Sequence, residues 1–121
     1  MQKNTGVKRI VKAAYYSYKG LSQAVRHEAA FQQEAIAAAV LIPLTFWLDV
    51  SVVERILLIG SVVLVMIVEL LNTGIEAVVD RTGLEHHELS GQAKDMGSAA
   101  VMVSIALGFF IWLSILIPAY A

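Results

Sequence analysis

The stretch "IVELLNTGIEAVVDRT", residues 67–82, sets Glu69, Asn72 and Glu76 inside an otherwise oily run before the chain reaches Asp80. At about 100° per residue these three side chains fall within one narrow sector of a helix, with Thr73 at its border. A carboxylate in hydrocarbon costs about 2.5–3.5 kcal/mol on insertion scales. A helix that keeps two of them on one face has a use for them. At a rise of about 1.5 Å per residue, Glu76 lies roughly 6 Å from Asp80 along the axis and Glu69 roughly 16 Å. Two readings stand side by side. The polar side chains either bond neighbouring helices in a bundle, or they carry chemistry. In the second case the deeper Glu69 suits a general base. Glu76, near water, suits a hard cation such as magnesium, which takes carboxylate oxygens and keeps phosphates and waters as its other ligands.

The rest of the chain says what surrounds this helix. Its 121 residues suit a single domain, 1–121. Hydrophobic residues make up 58% and charged residues 16%, where a soluble domain has about 25% charged. The shortfall points to a membrane protein. A net charge of −1 gives no electrostatic sign of a nucleic-acid partner. There is no cysteine, which excludes disulfides and thiolate metal sites.

Three apolar runs, about 29–48, 56–79 and 96–119, are long and continuous. A spanning helix needs about 20 mostly apolar residues, and alternating barrel strands do not look like this. The reading is an all-α membrane protein with three transmembrane helices. Residues 1–28 differ. Val7, Ile10, Val11, Ala14, Tyr15, Tyr18 and Leu21 form one helical face, and Lys8, Arg9, Lys12 and Lys19 lie off it. Such a basic amphipathic helix lies in the membrane surface. No apolar core in this segment is long enough for a signal peptide. Six Lys/Arg precede the first span, whereas the turn Asp49–Arg55 holds only Arg55. The positive-inside rule then puts the N-terminus and the second loop in the cytoplasm and the C-terminus outside.

That second loop, within "DRTGLEHHELSGQAKDMGSAA" (80–100), is the most polar stretch. Lys94 and Ser98 are spaced i, i+4, and Asp95 and Ser98 i, i+3. The set either binds a phosphate or simply caps a helix with an interfacial ion pair. Glu85, His86, His87 and Glu88 read as a solvated turn. Further carboxylates, Glu28 and Glu34, stand in "RHEAAFQQE" (26–34). No GxxxxGK[ST] or GxGxxG occurs, so nucleotide chemistry here would not use a standard phosphate loop.

"EAAFQQE", "IVELLNTGIEAVVDR" and "ELSGQAKDMGSAAV", with "RIVKAAYYSYKGL" and "WLDV", resemble the defining segments of the prokaryotic integral-membrane diacylglycerol kinases. The similarity covers nearly the whole chain. It implies a homotrimer of three-span subunits in the bacterial inner membrane, with sites shared between subunits. It implies transfer of the ATP γ-phosphate to diacylglycerol at the cytoplasmic face, with Mg²⁺ as cofactor. By resemblance Glu69 is the base, and Glu28 and Glu76 hold the metal. Nucleotide contacts are implied for Arg9, Tyr16, Ser17, Glu28, Glu76, Glu85, His86, His87, Lys94 and Asp95. Lipid contacts are implied for Arg9, Ala13, Ala14, Ser17 and Tyr18 on the surface helix. They continue through Ala30, Phe31, Glu34 and Trp47 to Glu69, Asn72, Ser98 and Trp112. Gln32 and Gln92 stand where members often have arginine, and Tyr15 where a small residue is common. Undecaprenol kinases share the fold and core motif and are the nearest rival. Ala35, Ala37, Ala38 and Ala39 leave shallow grooves that favour two linear acyl chains. A small proton-coupled exporter or a structural subunit are rivals of other kinds.

Overall fold

The computed structural model describes residues 5–83 and 87–121, which contain four helices and no strand. Helix α1 spans Gly6–His27, α2 Ala29–Leu44, α3 Val52–Arg81 and α4 Glu88–Tyr120. Helix α3 is the centre, packed against both α2 and α4, while α1 packs chiefly on α2.

One residue separates α1 from α2. Glu28 is extended, with φ −108° and ψ 108°, although its N–H still donates to Ala24 O at 3.0 Å. The break frees carbonyls at the end of α1. Gln32 reaches back and donates its side-chain N–H to Val25 O at 2.8 Å, capping the elbow from the next helix.

The α2–α3 connection is also held by side chains. Arg55 donates from Nε to Thr45 O at 2.9 Å and from the guanidinium to Leu48 O at 3.3 Å. A cation at a helix C-terminus satisfies orphan carbonyls and opposes the dipole there. Ser51 and Glu54 form a reciprocal capping box that starts α3. At the far end Thr82 donates to Val79 O at 2.6 Å, and Gly83, at φ 139°, turns the chain where a side chain would be strained.

Helix α4 begins at Glu88, well before the uncharged stretch starting at Met96. Gln92, Lys94 and Asp95 therefore ride on its first turns rather than in a loop. His87 makes this start possible by accepting Leu89 N–H on Nδ1 at 3.1 Å.

The core is small. Leu58 is fully buried and Phe31 is 2% exposed. Burying each contributes about 1.5–3 kcal/mol. Trp112 on α4 shares its Nε1–H between Leu58 O (3.2 Å) and Ser61 Oγ (3.0 Å) on α3. Beyond these contacts the apolar surface is open. Helices α3 and α4 are long and apolar enough to cross a membrane, and only 17% and 11% of their most apolar windows are buried. That separates them from core helices of a soluble domain. Helix α2 is apolar but shorter, 16 residues, or about 24 Å of axis. The α1 stripe, from Val7 and Ile10 to Tyr18 and Leu21, is exposed throughout.

Candidate active site

The polar sector of α3 faces its neighbours at graded depth. Glu69 is 6% exposed and Asn72 8%, while Glu76 is exposed. Across the α2–α3 interface the Glu34 side chain adjoins that of Glu69. Glu34 Oε1 is buried without a hydrogen-bond partner. Asn72 donates from Nδ2 to Glu76 Oε1 at 2.9 Å. Its Oδ1 is buried, has no hydrogen-bond partner and lies against Gly97 of α4. One turn beyond Glu76, Asp80 pairs with Lys94 Nζ at 2.7 Å. Lys94, Asp95 and Ser98 are exposed.

The structure thus joins residues that the sequence placed on separate helices. Glu34 meets Glu69; Asn72 links Glu76 to α4; Lys94 closes on the end of α3. Among the described residues no three carboxylate or imidazole side chains are close enough to cage a metal. Glu28 sits half-buried at the α1–α2 elbow. On α1, Arg9, Ala13, Ala14, Tyr16 and Tyr18 are exposed, and Ser17 spends its hydroxyl on Ala13 O at 2.8 Å. Ala30 is exposed; Trp47, just past α2, is 80% exposed. Glu85 and His86 lie outside the described residues.

Two expected lipid contacts have packing duties here. Phe31 fills the core, and Trp112 ties α4 to α3. Gly97 was not anticipated at all. The only sequence signal for it was its place in the "KDMGSAA" run, which does not say what it faces.

Between α2 and α4, over α3, lies an open apolar cleft of about 440 Å³. Glu34 and Ser61 are its only polar side chains apart from the indole edge of Trp112. Glu34 lines it and adjoins the buried Glu69, so a carboxylate pair stands at the edge of a surface suited to hydrocarbon.

A profile of the prokaryotic diacylglycerol kinases matches residues 15–116. The chain belongs to that family. The match takes in every described residue of the polar α3 sector and of the Lys94–Ser98 region. Among its relatives, the diacylglycerol kinase of Escherichia coli strain K12 is 58% identical over 108 residues, covering 89% of this chain and 88% of the relative. That of Pseudomonas aeruginosa is 52% identical over 113 residues, covering 93% and 92%. That of Helicobacter pylori strain J99 is 41% identical over 118 residues, covering 98% and 92%. Membership in the diacylglycerol kinase family thus extends over the elbow, the α3 sector and α4 together.

Proposed function

We propose that the protein phosphorylates diacylglycerol to phosphatidate with ATP at the cytoplasmic face of a bacterial inner membrane. The observation that carries this reading is the gradient along α3. A buried carboxylate, Glu69, adjoins Glu34 at the edge of an apolar cleft, and an exposed carboxylate, Glu76, follows at the polar end of the same helix face. Seven residues separate them, about 10 Å of axis. One face therefore serves both a lipid and a water-soluble phosphate donor.

In this reading Glu69 takes the proton from the lipid hydroxyl as its oxygen attacks the γ-phosphorus. A new P–O bond forms, the bond to the bridging oxygen breaks, and ADP leaves. Lys94 and Asp95 organise the nucleotide phosphates, with Arg9, Tyr16, Ser17, Glu85, His86 and His87 around the nucleotide. Lys94 leaves Asp80 to do so, an exchange of one exposed anion for another. Magnesium fits the donors present. Glu76 is a hard carboxylate at an accessible position, fixed by Asn72, and magnesium needs only one or two such groups beside phosphates. Glu76 and Glu28 would hold it, and it would neutralise charge developing on the transferred phosphoryl group.

The subunit is read as three-span, with α2 and its Thr45–Trp47 turn crossing first and Trp47 at the outer boundary. The exposed α1 stripe lies on the cytoplasmic surface. A homotrimer with shared sites lets Glu28 of one subunit serve Glu76 of another.

The test presents equal mole fractions of diacylglycerol and undecaprenol in mixed micelles with MgATP and measures both products. Phosphatidate should dominate. A ratio favouring undecaprenyl phosphate would overturn the lipid assignment and leave the kinase chemistry standing.

A further inference from the structure

We infer that Gly97 is a positioning residue for the Glu76 carboxylate: its bare Cα lets the Asn72 amide lie against α4, and that amide holds Glu76. The inference rests on the reading of Glu76 as a magnesium ligand and adds a residue on a different helix that governs it.

Glycine inside a helix costs about 1 kcal/mol relative to alanine. Gly97 sits ten residues into α4, so that cost needs an offset. At Gly20, Gly60, Gly74, Gly91 and Gly108 an added Cβ meets nothing within 4 Å. At Gly97 it would overlap Asn72 Oδ1 and approach Asn72 Cγ to 3.2 Å. Gly97 is itself buried, so α4 has no side chain there to turn aside.

The Asn72 amide is held from both ends. Nδ2 donates to Glu76 Oε1 at 2.9 Å, and Oδ1 rests on the glycine, buried and without a hydrogen-bond partner. With only 8% of the residue exposed, the amide has little room to swing. A Cβ at position 97 must push the amide away or part α3 from α4. Moving the amide takes the donor from Glu76, and parting the helices removes the seat that holds the amide in place. The carboxylate, exposed at the polar end of α3, then loses the contact that orients it.

Gly97 touches neither metal nor substrate in this account. It acts through Asn72, which makes a specific double-variant pattern the test. Asn72→Ala removes Oδ1 and Cγ. The next-nearest atom to a Cβ at position 97 is Asn72 Cβ at 3.8 Å, an ordinary contact. In that background Gly97→Ala should be harmless.

The experiment measures equilibrium binding of a non-hydrolysable ATP analogue to detergent-purified full-length protein as magnesium is varied. The proteins are the parent, Gly97→Ala, Asn72→Ala and the double variant, with helix content checked by circular dichroism. Gly97→Ala and Asn72→Ala should each raise the magnesium needed for half-maximal binding by about tenfold, the scale of one lost hydrogen bond to a charged group. The double variant should match Asn72→Ala. Should Gly97→Ala alone fail to fold, the double variant must still fold and bind as Asn72→Ala does. Parent-like binding by Gly97→Ala, or a further loss when it is added to Asn72→Ala, would overturn the proposal. Parent-like magnesium dependence in Glu76→Gln would instead overturn the assignment of Glu76, and the proposal with it.

Discussion

Glu34 of α2 adjoins Glu69 of α3, placing two carboxyl groups side by side where the helices meet. One oxygen of Glu34 is buried and unpaired. Two carboxylates at this spacing repel unless they share a proton, and an unpaired buried polar atom adds to the cost. Glu34→Gln removes one ionisable group of the pair and gives Glu69 a permanent amide donor. We predict that it raises resistance to unfolding by about 1 kcal/mol, measured by denaturation in detergent micelles. A clear loss of stability would mean that the pair is held together by something other than packing.

Arg55 supports the other end of α2. It donates to Thr45 O and Leu48 O, and its guanidinium lies 5.6 Å from the Phe46 ring centre. Arg55→Ala leaves two carbonyls unpaired and removes a cation from a helix C-terminus. The expected loss is about 2 kcal/mol of stability. Arg55→Lys should recover only part of it, because one ammonium cannot reproduce the guanidinium fork. Equal stability of all three proteins in denaturation would contradict this role.

The fold's main divisions were legible because hydrophobic patterning is local. The amphipathic stripe of α1, the uncharged run of α4 and the polar sector of α3 are each written within one helix. What was not legible depends on neighbours. The elbow at Glu28 is an extended residue inside a helix-forming context, and Gln32 stabilises it by a contact seven residues back. The start of α4 at Glu88 was hidden because a polar helix outside the membrane has the composition of a loop. The pairing of Glu34 with Glu69 and the seat of Asn72 on Gly97 arise from packing between helices, which spacing along one helix does not encode. Phe31 and Trp112 enter as lipid contacts by resemblance; the burial of Phe31 and the bond from the Trp112 indole to Ser61 are packing contacts between helices that the sequence does not show.

Topology offers an independent test. Six basic residues precede α2, and Arg55, in the first turns of α3, is the only one between α2 and Arg81. A reporter fused after Ala121 should be periplasmic, and one inserted beside His87 cytoplasmic. A cytoplasmic C-terminus would contradict three spans.

Subunit sharing has a genetic signature. Glu28→Gln and Lys94→Leu should each be inactive alone. Mixed before reconstitution, they should form trimers in which some sites draw intact residues from both chains. Activity should return to a fraction of the parent's. Continued inactivity despite proven subunit exchange would place each site within one chain.

Glu69 is the proposed base of the phosphoryl transfer. Glu69→Gln preserves size and hydrogen bonding but cannot accept the proton. The decisive measurement is transfer of labelled γ-phosphate from ATP to diacylglycerol by the parent and by Glu69→Gln, with magnesium-dependent nucleotide binding measured on the same preparations. The parent should yield labelled phosphatidate, and the variant should do so at a rate lower by about 10² or more with nucleotide binding largely kept. Near-parent turnover in a folded Glu69→Gln protein, or no labelled lipid from the parent, would contradict that assignment.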